Sequence, residues 1–196
     1  MIALITTVIY SYFLGSIPTA YIFAKFLYKK DITEEGSGNV GTLNFLRVTR
    51  SNIFSLVILL IDTLKGFFAL WLTNFFGNSD LLMIAALSVI LGHIYPVWLG
   101  GRGGRGLATL SGVILFLKPL LIGYWWLIFI VIYILIRRYV IAGILALVIV
   151  NILTVLMSPQ TFLILSVNSL LVMLKYRPRL TQELNTIFKK GEKLGS

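Results

Sequence analysis

The sequence predicts an all-α, polytopic integral membrane protein with about seven transmembrane helices in a single domain over residues 1–196, its amino terminus outside and its carboxyl terminus in the cytoplasm. Three observations carry that prediction. The 196 residues are 58% hydrophobic with a mean hydropathy of +0.95, so the solvent for most of the chain is lipid rather than water. The apolar residues fall in continuous runs, not in the two-residue alternation of strands, and an open sheet could not satisfy its backbone polar groups in hydrocarbon. Lys and Arg gather in alternate loops, the asymmetry that marks the cytoplasmic side of a membrane.

The first apolar run, Ile2 to Tyr28, lacks a basic start and a small-residue cleavage site and is too long for a signal peptide, so it reads as a retained helix. Lys29, Lys30, Arg47 and Arg50 follow it. The second run, Ile53 to Phe76, ends in the loop Gly77 to Asp80, which has no Lys or Arg, and the third is Leu81 to Leu99. Arg102 and Arg105 then precede Leu107 to Leu117, a run short for a hydrocarbon core of about 30 Å, which must borrow loop residues or sit in thinned bilayer. Lys118 alone opposes the orientation. Pro119 to Ile136 leads to Arg137 and Arg138, Tyr139 to Met157 leads to the uncharged Ser158 to Gln160, and Thr161 to Tyr176 leads to a tail with Lys175, Arg177 and Arg179. The four basic segments are expected in the cytoplasm.

Composition also excludes chemistry. Without cysteine there is no disulfide framework, thiolate metal site or cysteine nucleophile, and a lone histidine leaves no His-rich metal cluster, so neither cofactor nor metal is expected. A net charge of +10 must sit in loops and tail, facing anionic headgroups or phosphorylated substrates; interleaved with membrane spans, it offers no surface to nucleic acid. No internal repeat supports an inverted-repeat transporter.

Two loops carry the chemistry. In Gly36-Ser37-Gly38-Asn39-Val40-Gly41-Thr42-Leu43-Asn44-Phe45-Leu46-Arg47 the opening matches G-x-G-x-x-G, yet it follows a membrane helix instead of a strand, so dinucleotide binding is rejected. Backbone open to close approach, hydroxyl and amide donors and a terminal cation suit a phosphate. In the second loop Gly100, Gly101, Gly103, Gly104 and Gly106 surround Arg102 and Arg105, between Gly92-His93-Ile94-Tyr95-Pro96 and Leu107-Ala108-Thr109. Successive glycines predict an anion-binding nest at the amino end of the following helix, and no Lys-Ser or Lys-Thr makes it a Walker A loop. Within the second run, Asp62 and Lys65 share one helical face and are expected to pair, with a supporting role toward a loop or substrate as the lesser reading. His93, the single imidazole, is equally a helix-end hydrogen-bonding group or a reactive one.

These segments resemble, over nearly the whole chain and in the same order, the bacterial acyl-phosphate-dependent glycerol-3-phosphate acyltransferases: Gly15-Ser16-Ile17-Pro18, Gly36 to Arg47, Asp62-Thr63-Leu64-Lys65-Gly66, and Gly92 to Thr109. The resemblance implies a multi-pass enzyme of the bacterial cytoplasmic membrane with its active site facing the cytoplasm. It further implies transfer of an acyl group from acyl phosphate to the 1-hydroxyl of glycerol 3-phosphate without coenzyme A, carrier protein or metal. Gly101, Arg102, Gly103, Gly104, Arg105, Gly106 and Thr109 would hold the acyl phosphate. Ser37, Asn44 and Arg47 would hold glycerol 3-phosphate, and His93, Arg105 and Ser37 are the catalytic candidates. Membrane lipids are the other expected partners, and a monomer is expected.

The chain departs from the family pattern at three places. Gly41-Thr42-Leu43-Asn44 stands where Gly-Ala-Thr-Asn is usual, and Arg102 and Arg105 replace two lysines. The family's third motif, after the last helix, usually has His and Asn where this chain has Pro178 and Thr181, with Asn185 and Gly191-Glu192 keeping a trace. A diverged paralogue serving as a phosphate- or lipid-binding transporter or scaffold is the alternative reading.

Overall fold

The computed structural model describes residues 1–155 and 158–192, with side chains to residue 186. Leu156 and Met157, the end of the sixth apolar run, and the Glu192 side chain lie outside the described residues. Every helix longer than one turn in them is α-helical: α1 (Ile2–Ser16), α2 (Thr19–Tyr28), α3 (Thr42–Thr49), α4 (Asn52–Phe75), α5 (Leu82–Ile94), α6 (Leu107–Leu117), α7 (Pro119–Ile136), α8 (Tyr139–Val155) and α9 (Pro159–Glu192). Among the described residues four stretches are long and apolar enough to cross a membrane, Ile2–Tyr28, Asn52–Phe75, Ser79–Leu99 and Pro119–Ile136; Leu107–Leu117 and Tyr139–Val155 are apolar but shorter.

The helices form two compact units, Met1–Lys118 and Pro119–Ser196. In the first, α1 packs on α5 and α4 on α6. Both contacts are built on glycine. Gly15 lies against the Val89 carbonyl and Gly92 against the Tyr12 carbonyl; Gly66 lies against the Thr109 carbonyl and Gly112 against the Thr63 carbonyl. None of the four leaves room for a methyl group, so the backbones approach as small residues allow in lipid, where dispersion rather than water exclusion drives helix association. In the second unit α8 packs on α7 and on α9. Asn151 clamps α8 to α9, donating to Ser169 Oγ (2.9 Å) and accepting from Ser166 Oγ (3.3 Å), while Trp125, Phe129 and Tyr133 stack along α7.

Four details differ from the sequence expectation. The first run is broken: Ile17 takes an extended ψ of 111° and Pro18, which has no N–H to donate, starts a new segment. The third run likewise stops at Ile94, before Pro96. Of the two alternatives for the short α6, borrowing from the loop fails, because Gly106 at φ +87° is left-handed and ends the helix there. The last helix does not stop with the apolar run at Tyr176: α9 runs on through Pro178 to Glu192.

Candidate functional site

The first loop is organised around one side chain. Asn44, buried in the first turn of α3, accepts from Ser37 N (2.7 Å) and Ser37 Oγ (3.1 Å) and donates to the carbonyls of Ile32 (2.9 Å) and Glu35 (3.0 Å). All four hydrogen-bonding positions of the amide are thus committed to the loop, and Ser37 is presented at its surface. Upstream, Asp31 accepts from Thr33 Oγ1 (2.6 Å) and Thr33 N (3.0 Å), which with Lys25 at 3.8 Å hold its carboxyl below the usual range. Arg47 is exposed one turn after Asn44. The Thr42 hydroxyl, at the start of α3, is buried with no hydrogen-bond partner.

The second loop departs from the expected nest. The N–H groups of Gly101, Arg102, Gly103 and Gly104 point inward, to the carbonyls of Pro96 (3.0 Å), Leu99 (3.1 Å), Ile94 (3.2 Å) and His93 (3.1 Å). For Gly103 and Gly104 the reason is the helix end: the His93 and Ile94 carbonyls of α5 have no intrahelical donor, and the chain folding back after Pro96 satisfies them, while Gly101 and Arg102 close the turn over Pro96 to Leu99. Anion-binding capacity is left to the exposed Arg102, the half-buried Arg105 and the amino end of α6 after Gly106. Thr109 is completely buried, its carbonyl against Gly66 and its hydroxyl without a partner.

The two loops share one rim of the first unit. Leu99, beside the glycine segment, packs on the cluster of Ile32, Val40 and Phe45 that holds the first loop on α2 and α4. Val40 from one loop and Gly103 and Gly104 from the other line a cavity of about 10 Å³, room for one water, together with Ser16, Pro18, Thr19, Asp62 and His93. Behind it lies a buried polar cluster. Asp62 Oδ1 accepts from Lys65 Nζ (2.7 Å) and Thr19 Oγ1 (3.1 Å) and stands 4.0 Å from His93 Nδ1. Lys65 also donates to the Ile17 carbonyl (2.6 Å) and to Thr19 Oγ1. The imidazole of His93 abuts Gly104 so closely that a methyl group there would overlap Nε2.

The structure therefore brings His93, Gly103 and Gly104 together and places Ser37 on the neighbouring loop with Asn44 and Arg47 on α3 just after it, whereas Thr109 serves the α4–α6 contact. Pro178 and Thr181 lie exposed on α9 in the other unit, the Thr181 hydroxyl donating to the Arg177 carbonyl (3.0 Å). Sequence reasoning did not single out Thr19 or the Ile17 carbonyl. The signal was Pro18, which breaks a span and frees that carbonyl for Lys65.

A family model described as glycerol-3-phosphate acyltransferase matches residues 5–186. A glycerol-3-phosphate acyltransferase of Syntrophomonas wolfei is 44% identical over 132 residues, 67% of each chain, and glycerol-3-phosphate acyltransferase 2 of Moorella thermoacetica is 42% identical over 133 residues, 68% of each. The crystal structure of PlsY, an integral membrane glycerol 3-phosphate acyltransferase, in its glycerol 3-phosphate form resembles 93% of this chain over 92% of its own, with a TM-score of 0.84 and 27% identity. Its lysophosphatidic acid form gives 0.83 at the same identity.

Proposed function

The chain belongs to the glycerol-3-phosphate acyltransferase family, and from that premise we propose that it acylates the 1-hydroxyl of glycerol 3-phosphate with acyl phosphate as donor, releasing lysophosphatidic acid and inorganic phosphate. The observation that carries the reading is the shared rim: the first loop, which leads into α3 with Arg47, and the second, which carries Arg102 and Arg105, meet around Val40, Gly103 and Gly104, as a reaction between two phosphate-bearing substrates requires. Arg102, Arg105 and the amino end of α6 take the donor phosphate; Ser37 and Arg47 take glycerol 3-phosphate; Asn44 acts through Ser37. The hydroxyl oxygen attacks the carbonyl carbon, the bond from that carbon to the phosphate oxygen breaks, and the hydroxyl proton leaves with the phosphate. An acyl phosphate is already activated, so positioning and charge stabilisation of the tetrahedral intermediate by Arg105 suffice. His93 holds the second loop at the reacting end. The enzyme sits in the membrane with seven spans, amino terminus outside, both loops cytoplasmic. The transporter or scaffold alternative is set aside, because the relatives are acyltransferases.

The test is direct. Purified protein given acyl phosphate and glycerol 3-phosphate should form lysophosphatidic acid and phosphate in equal amounts; binding of both without product would remove the enzymatic reading.

A further inference from the structure

Asp62-Thr63-Leu64-Lys65-Gly66 is one turn in the middle of α4, and it touches every element that leads to the two loops. A charged residue near the centre of a membrane helix costs about 2.5–3.5 kcal/mol on insertion scales, so two of them there, 2% and 4% exposed, call for an explanation beyond helix formation. Mutual pairing supplies part of one, but pairing alone would leave two protons of the ammonium unused. They are used. Lys65 donates to Asp62, to Thr19 and to the Ile17 carbonyl, and so holds both sides of the break from which α2 leads into the first loop. Asp62 lies 4.0 Å from His93, whose ring abuts Gly104 in the second loop. Thr63 and Gly66, on the same turn, carry the close contacts to Gly112 and Thr109 of α6, the helix that the second loop enters.

We propose that Asp62, Lys65 and Thr19 are positioning residues for acyl transfer: this turn of α4 sets the separation of the two substrate loops. The inference rests on the acyltransferase reading above. Its consequence is a particular kind of failure. Loosening the cluster leaves each loop able to bind its own phosphate but misaligns hydroxyl and carbonyl, so kcat falls while both KM values hold. A merely structural ion pair behaves otherwise, because a buried pair replaced as a unit by apolar residues is often neutral for folding and would leave turnover intact.

The experiment uses the full chain in detergent with one acyl phosphate and glycerol 3-phosphate, comparing wild type, Asp62→Asn/Lys65→Met, Thr19→Val and Thr19→Ser. We expect the double variant, with no unpaired charge, to unfold near the wild-type temperature yet lose about tenfold or more in kcat, with both KM values within about threefold. Thr19→Val, which keeps the ion pair, should lose kcat in the same pattern, and Thr19→Ser should recover most of it. Wild-type kcat in Thr19→Val or in a folded double variant overturns the proposal, as does a loss expressed only in KM. If the double variant does not fold, the Thr19 pair decides. A wild-type protein without turnover would instead remove the reading beneath the proposal, and the proposal with it.

Discussion

Asn44 and Ser37 are linked by two hydrogen bonds but should fail differently. Asn44→Ala removes four bonds and strands the Ile32 and Glu35 carbonyls and the Ser37 N–H, each worth about 1–3 kcal/mol if left buried and unpaired. The melting temperature should drop and the KM for glycerol 3-phosphate should rise together. Ser37→Ala keeps the backbone bond to Asn44, so turnover should fall with little change in melting temperature; equal loss of stability in both would show that Ser37 is only loop structure. The arginines separate the substrates. Arg47→Ala should weaken glycerol 3-phosphate and Arg105→Ala the donor, each by roughly tenfold to a hundredfold in the corresponding kcat/KM, the range of a charge-assisted phosphate contact. Steady-state kinetics with each substrate varied in turn checks this, and unchanged constants in both variants would remove the two-phosphate arrangement. Arg105→Lys should recover activity to the extent that charge rather than the planar fork is used.

At the scale of elements, the glycines of α4, α5 and α6 matter through what faces them. A methyl group at Gly66 would collide with the Thr109 carbonyl and part α4 from α6. Gly66→Ala should therefore cost about 1–3 kcal/mol, as overpacking of a tight contact does, and lower the melting temperature in detergent. Gly123 in α7 is the control: nothing lies within 4 Å of the position a Cβ would take, so Gly123→Ala should hold or slightly raise stability through helix propensity alone. If both substitutions behave alike, close packing at Gly66 is not what joins the helices.

For the molecule as a whole, orientation and donor choice are the tests. The native chain has no cysteine, so single cysteines report without background. Introduced at Ser79 and Ser158, they should react with an impermeant thiol reagent from outside, while those at Ser37 and Thr181 stay protected. Labelling of Ser37 from outside would put the substrate loops on the wrong face for a cytoplasmic enzyme. Acyl phosphate should be used directly, and sustained turnover on acyl coenzyme A without acyl phosphate would overturn the donor assignment.

Much of this was legible along the chain, because lipid imposes a simple rule. Backbone must be satisfied within each segment, so continuous apolar runs became helices, and loops rich in glycine and arginine marked where polar chemistry could reach water. Membership of the acyltransferase family was likewise written in local motifs, from Gly15-Ser16-Ile17-Pro18 to Gly92 through Thr109. What no local pattern states is which partners a polar group finds across the fold. The N–H groups from Gly101 to Gly104 looked available to an anion until the folded chain turned those of Gly103 and Gly104 onto the last carbonyls of α5 and those of Gly101 and Arg102 onto the turn that follows it. Asp62 and Lys65 read first as a pair, three residues apart on one helix, with support of a loop or substrate as the lesser reading. Only the tertiary structure supplied Thr19 and the Ile17 carbonyl as their further partners, 43 and 48 residues away in sequence. Hydropathy and spacing act within a helix, whereas hydrogen-bond satisfaction in a low-dielectric interior is settled between helices, and that is where the positions of the two loops were decided.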